Sequence, residues 1–227
     1  MEPWFVLHRA SQSRSELARA LASEADLLEL DIWAEGGRIA LRHDPLYWRA
    51  LAGLTRRHRI IPWRRRKRFW LDQALDAGLP LTRIMLDIKD PEPGVVNLLV
   101  DALGAQDDGQ GLVASTPHWA QLDRLADRLP ATTLLYSIGR GQRGAESWTR
   151  YRDRIETGRA GGGVSIHHEA ATPQRLALLR DHGLRAVCYT VNDLQRGVDL
   201  LQAGARGLTS DRSDLIAAWR DRWGSRG

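Results

Sequence analysis

Residues capable of acid–base and metal chemistry recur in this chain where hydrophobic, strand-like runs end. His8 follows Trp4-Phe5-Val6-Leu7, and Glu29 and Asp31 interrupt Leu27-Leu28-Glu29-Leu30-Asp31-Ile32. His43 comes just after Ile39-Ala40-Leu41, and Asp87 and Lys89 punctuate Ile84-Met85-Leu86-Asp87-Ile88-Lys89. Carboxylates and imidazoles beside such runs are costly to bury unless they pair or bind something. Glu29 and Asp31, two apart on a strand, point to the same face. With Asp87 from another strand they supply three hard oxygen ligands, a set suited to Mg²⁺ or Ca²⁺ with room for water and phosphate oxygens. No cysteine lies nearby, which makes zinc the poorer fit, although the histidines leave it open. His8 and His43 are candidate general base and general acid, since imidazole titrates near physiological pH. Arg9 and Lys89 add the fixed positive charge that a phosphodiester needs. Any one of these residues alone reads as a solvated strand end or an ion-pair partner, and Lys89 also balances Asp87. The Glu-x-Asp pair together with Asp-x-Lys favours a metal.

The elements that must position them alternate along the chain. Strand-like runs fall at Trp4–Leu7, Leu27–Trp33, Arg38–Arg42, Arg83–Ile88, Leu112–Ser115, Thr133–Ser137, Gly163–Ile166, Arg185–Val191 and Gly207–Thr209. Helical patterns separate many of them, at Ser15–Ala25, Leu71–Ala77, Gly94–Ala105, Trp119–Leu129, Pro173–His182 and Leu194–Ala203, with a last one at Ser213–Trp223. Such alternation predicts parallel strands joined by helical crossovers. Roughly eight β–α units result if Leu27–Arg42 is one strand with a short antiparallel extension. The predicted fold is therefore α/β, a (β/α)₈ TIM barrel. An open doubly wound sheet would want a glycine-rich first turn, where this chain has His8-Arg9-Ala10-Ser11. In a barrel the C-terminal strand ends build the active site. His8, Glu29, Asp31, Asp87, Lys89, His167, Asn192 and Asp211 all fall at or just past such ends.

Composition bounds the rest. The chain has 227 residues, of which 43% are hydrophobic and 27% charged. That length and balance read as one globular domain, residues 1–227. The single cysteine, Cys188, excludes an internal disulfide and fits a reducing compartment. No apolar run approaches a bilayer span, and the first one stops at His8 without a basic region before it, so cytoplasmic residence is expected. The net charge of +5 is largely local: Arg56–Arg68 holds 8 of the 33 Lys/Arg and no acid. This basic insertion, about residues 45–70, follows the His43 strand and so belongs to the active-site face. Ile60, Ile61, Trp63, Phe69 and Trp70 among its arginines suit peripheral contact with an anionic membrane surface. A solvated loop is the plainer reading, and nucleic acid is the weakest, because one basic loop without a recognised motif says little.

Taken in order, His8-Arg9, Glu29-Leu30-Asp31, His43-Asp44 and Asp87-Ile88-Lys89 resemble the signature of glycerophosphodiester phosphodiesterases. Tyr189-Thr190-Val191-Asn192 is similar to that family's Trp-Thr-Val-Asn strand, and Gly207-Leu208-Thr209-Ser210-Asp211 to its closing Gly-x-x-Thr-Asp element. The resemblance runs from the first strand to about Asp211. It implies a TIM barrel that binds a divalent cation and hydrolyses glycerophosphodiesters to glycerol 3-phosphate and an alcohol. Glu29, Asp31 and Asp87 would hold the metal, and His8 and His43 would move protons. Arg9 and Lys89 would hold the phosphate, with Tyr189 and Asn192 also on the substrate. The chain departs from the pattern at Ala10 and Ser13-Arg14-Ser15, where Gly and Glu-Asn-Thr are usual. It departs again at Asp87, one methylene shorter than the usual glutamate, and at Tyr189 in place of tryptophan. A catalytically weak barrel that binds anionic lipid or phosphate at its basic face is the alternative function.

Overall fold

Eight short parallel strands, each too apolar to leave either face in water, close into a barrel. The computed structural model describes residues 2–10, 12–43, 68–103 and 108–224. The strands are β1 (Trp4–Leu7), β2 (Leu27–Glu35), β3 (Arg38–Leu41), β4 (Ile84–Ile88), β5 (Val113–Thr116), β6 (Thr133–Ile138), β7 (Gly163–His167), β8 (Arg185–Tyr189) and β9 (Gly207–Ser210). All pairings are parallel except that of β3 with β2. Because β1 pairs with both β2 and β9, the eight parallel strands close on themselves, and β3 alone lies outside the ring. The fold is the (β/α)₈ TIM barrel, with β3 as the antiparallel extension of β2.

The helices are α1 (Arg14–Leu21), α2 (Leu71–Asp76), α3 (Gly94–Leu103), α4 (Trp119–Arg128), α5 (Gly141–Glu156), α6 (Pro173–Asp181), α7 (Leu194–Gln202) and α8 (Ser213–Gly224). Caps fix several starts: the side chains of Ser13, Thr172 and Asp193 accept from the amides of Glu16, Arg175 and Arg196. The outward faces of the strands and the inward stripes of the helices share one large core, which includes Leu30, Leu86, Leu122, Leu176 and Trp219. Helix α5 has no counterpart in the sequence patterns. No helix among the described residues is long and apolar enough to cross a membrane.

The barrel interior is graded from apolar to polar along its axis. Strand alternation and the observed register put Trp4, Val6, Leu27, Met85, Val113, Leu135, Arg185 and Val187 on the inner face. Six of these form a separate apolar plug on which Trp4 packs. One step towards the C-terminal ends, the same face carries Glu29, Ser115, Ser137, Ser165 and Thr209, all of low exposure except the half-buried Ser137. At the mouth it carries Asp31, Asp87, His167 and Tyr189, with His8, Lys89 and Asp211 just beyond their strands.

The basic stretch Arg56–Arg68 lies outside the described residues except for Arg68. Of the two aromatic residues that follow, Phe69 departs from the expected lipid-facing position. Phe69 is buried in the main core, and its carbonyl accepts from the Leu41 amide. Trp70 bridges Ala40 and lies under the guanidinium of Arg38, 4.5 Å from its centroid. Phe69 thus belongs to the core and not to a surface for lipid, while Trp70 is half-buried against β3.

Candidate active site

The inner-face positions that are costliest to bury sit together at the C-terminal mouth. Glu29 and Asp31 arrive on β2 and Asp87 on β4, with Asp31 paired directly to Asp87 in the sheet register. One carboxylate oxygen from each lies within 4.8 Å of the others. Asp31 Oδ2 and Asp87 Oδ1 are buried and accept no hydrogen bond among the described residues. Three converging carboxylates with such free oxygens are a donor set that could hold a hard divalent cation. Burial raises the pKa of Glu29, with Asp31 and Asp87 adding to the effect and His8 opposing it.

Lys89 reaches back from the end of β4 to this cluster. Its Nζ lies 3.0 Å from Asp31 Oδ1 and forms a close ion pair with Asp87. Burial works against its charge, but Asp87, Asp31 and Glu29 outweigh it and hold the ammonium above the usual lysine range.

His8 stands between two carboxylates. Its Nε2 is 3.1 Å from Glu29 Oε2, and its Nδ1 is 2.6 Å from Asp211 Oδ1. Burial disfavours its charged form, yet Glu29 and Asp211 reverse the balance and raise the imidazole pKa. The hydrogen bond from His8, and behind it that from Asn192, holds the Asp211 carboxyl down at about 2. Arg9, next in sequence, has a φ of 52°. This is the left-handed region, uncommon for a residue with a side chain. In it the Arg9 amide points at Glu29 Oε2, 3.3 Å away.

His43 is delivered by the β2–β3 hairpin. Gly36 has a φ of 57° and Gly37 a φ of 77°. They provide the tight two-residue turn that β-branched or bulky residues could not. The Arg42 amide donates to Asp31 O, and the Arg42 side chain pairs with Glu35, so the end of β3 is fastened beside the acidic cluster. His43 Nε2 is 2.8 Å from the Arg9 guanidinium. A guanidinium has only donors, so this nitrogen is the acceptor.

Tyr189 and Asn192 occupy the far side of the mouth. The Tyr189 hydroxyl donates to Ile138 O at 3.2 Å, which leaves the ring as the surface it presents. Burial pushes its pKa up to about 12. His167 meets that ring edge-on, with centroids 5.7 Å apart, and stacks on His168. The Asn192 amide is turned to Asp211 rather than towards the acidic triad. His182 caps the end of α6 and His118 precedes α4, while His58 lies outside the described residues.

Two acids have no role assigned by the sequence alone. The strand pattern puts Asp211 at a strand end and nothing more, although alternation along Gly207, Thr209 and Asp211 places it on the inner face beside His8. Asp90 is fully buried and accepts from the amides of Ala34 and Glu92, tying the β4 loop to β2.

Residues 85–215 match the family model described as the glycerophosphoryl diester phosphodiesterase family. Among solved structures, a phosphodiesterase from Oleispira antarctica, in complex with the product sn-glycerol-3-phosphate, superposes with a TM-score of 0.72 at 18% identity, covering 97% of each chain. A glycerophosphodiester phosphodiesterase from Thermotoga maritima gives 0.72 at 18%, covering 97% of this chain and 99% of that one. One from Parabacteroides distasonis gives 0.68 at 14%, covering 99% and 100%. At these identities the likeness is one of fold. No curated protein matches the sequence.

Proposed function

The chain belongs to the glycerophosphoryl diester phosphodiesterase family, and from that membership we propose that it hydrolyses glycerophosphodiesters to glycerol 3-phosphate and an alcohol with the help of a divalent cation. The observation that carries this reading is the meeting, at one barrel end, of three carboxylates, two histidines and two cationic side chains. Glu29, Asp31 and Asp87 would hold the cation. When bound, it would offset the charge of the diester and polarise a phosphoryl oxygen.

The chain's own groups divide the remaining work. Arg9 and Lys89 donate charge-assisted hydrogen bonds to phosphate oxygens. Turning Arg9 to the phosphate releases Nε2 of His43, which then takes a proton from water or from a neighbouring substrate hydroxyl. His8, whose two carboxylate neighbours favour the imidazolium, gives a proton to the leaving alkoxide. The Tyr189 ring bounds the space for the substituent. Mg²⁺ and Ca²⁺ both suit the oxygen-only donor set.

The test is product release from glycerophosphocholine, glycerophosphoethanolamine and bis-p-nitrophenyl phosphate, each with Mg²⁺, Ca²⁺ or EDTA. Turnover should need the cation. His8→Ala and His43→Ala should each lower kcat by about 10²–10⁴-fold while the circular dichroism spectrum is kept. Full rates in EDTA, or wild-type turnover in either variant, would reject the scheme.

A further inference from the structure

Beyond Asp87 the inner face of the mouth loses its charge. Asp31 pairs with Asp87 in the sheet register and Asp87 with Ser115, and the next strands bring Ser137 opposite Ser165 and His167 opposite Tyr189. Ser115 and Ser165 are buried and Ser137 is half-buried, yet their three hydroxyls hydrogen-bond to no described residue. Nothing in the proposed reaction uses these serines or His167.

His167 adds a donor to this neutral half. Its Nδ1 accepts from the Glu169 amide at 3.2 Å, and a neutral imidazole that accepts at one nitrogen carries its proton on the other. Burial keeps the ring below the usual histidine range, with His168 and Arg140 adding to the effect and Glu169 opposing it. Nε2 is thus a donor, and it meets no acceptor among the described residues. The Tyr189 hydroxyl is spent on Ile138 O, so that side chain offers carbon. We propose that the alcohol esterified in the substrate is a neutral polyol, whose hydroxyls meet His167 Nε2, Ser137 and Ser165 while its carbon skeleton lies along the Tyr189 ring. The proposal rests on the phosphodiesterase reading above and adds a substrate class to it.

Other substituents fit this half less well. A quaternary or primary ammonium head needs an open ring face or an unanswered carboxylate. His167 is stacked on His168 and set edge-on to Tyr189. Glu169 lies 3.9 Å from both His167 Nδ1 and Arg140 Nη1, so its charge is already answered. Arg196, whose guanidinium donates to His168 O at 2.6 Å, adds a second cation to the same side. An acyl chain would strip water from the hydroxyls and from Nε2 and return no hydrogen bond, which is costly. A site built to bond hydroxyls rejects substrates that lack them.

Glycerophosphoglycerol, glycerophosphocholine, glycerophosphoethanolamine and bis-p-nitrophenyl phosphate, each with Mg²⁺ or Ca²⁺, supply the test on the full chain. The kcat/KM for glycerophosphoglycerol should exceed that for glycerophosphocholine by on the order of 10²-fold. His167→Phe, which keeps a ring and removes the donor, should cut this ratio about tenfold, and so should Ser165→Ala. Turnover without a preference for glycerophosphoglycerol overturns the proposal. So does a loss in His167→Phe that is equal for all three glycerol diesters, which would seat the glycerol itself on this half. If no diester turns over, the phosphodiesterase reading fails and binding decides. The His167 ring signals in nitrogen-15 NMR should then shift with glycerophosphoglycerol and stay in place with glycerophosphocholine, and any other result overturns the proposal. If His167→Phe does not fold, Ser165→Ala gives the same ratio.

Discussion

His8 and a metal ion make competing claims on Glu29. In the protein as it stands, Glu29 keeps company with His8 at 3.1 Å, and the imidazole pKa is raised by Glu29 and Asp211 against the effect of burial. A folded value above the unfolded one, about 6.5, means that His8 stabilises the fold fully below that pH. That contribution disappears as pH rises through the folded value. A cation on Glu29, Asp31 and Asp87 takes over the negative charge that favours the imidazolium, so Mg²⁺ or Ca²⁺ should lower the His8 midpoint and bind more tightly as pH rises. A proton NMR titration of the His8 ring with and without the cation checks this, and a midpoint that does not move would separate the cation from the triad. The triad was legible because three carboxylates in apolar strands demand a partner. The contacts of Asp211 with His8 and Asn192 were not: the sequence places these residues at strand ends, but they meet only through pairing between β8, β9 and β1.

At the scale of elements, the strands could be read from the sequence because each is a short apolar run broken by turn residues. Helix α5 could not. Only Gly144, Trp148 and Tyr151 of its 16 residues are buried, and one of those three is a glycine. A stripe that narrow, surrounded by arginines and acids, carries too weak a period to be seen. Glycine marks close packing elsewhere too. A Cβ on Gly197 of α7 would come within 2.4 Å of the Trp219 ring of α8. Trp219 cannot retreat: it is 1% exposed, donates from Nε1 to Leu194 O at 3.0 Å, and stacks on Phe5. Gly197→Ala should therefore force the two helices apart at a cost of about 1–3 kcal/mol, outweighing any gain in helix propensity. Thermal unfolding should show the loss as a lower melting temperature, with KM preserved. An unchanged or raised melting temperature would mean that α8 yields freely.

Across the whole molecule, the apolar-to-polar gradient of the barrel interior separates stability from chemistry. The mouth crowds three carboxylates around Lys89 and His8, while the opposite end is closed by a cation, a ring face and backbone carbonyls. Arg185 is the centre of that closure. Its guanidinium lies 3.6 Å from the Trp4 ring centroid and donates to Glu2 O at 2.9 Å and to Arg206 O at 2.7 Å, so it ties the first residues to the start of β9. An arginine inside a barrel is tolerable here because ring face and carbonyls replace its water. Arg185→Met fills similar volume but gives up all three contacts, which should cost about 2 kcal/mol and lower the melting temperature by about 4–8 °C. The apolar plug of Val6, Leu27, Met85, Val113, Leu135 and Val187 lies between Arg185 and the acidic triad. Well below its melting temperature the variant should accordingly keep the wild-type kcat and KM. A loss of kcat in Arg185→Met at low temperature would show that the plug transmits strain, and that the two ends of the barrel are not independent.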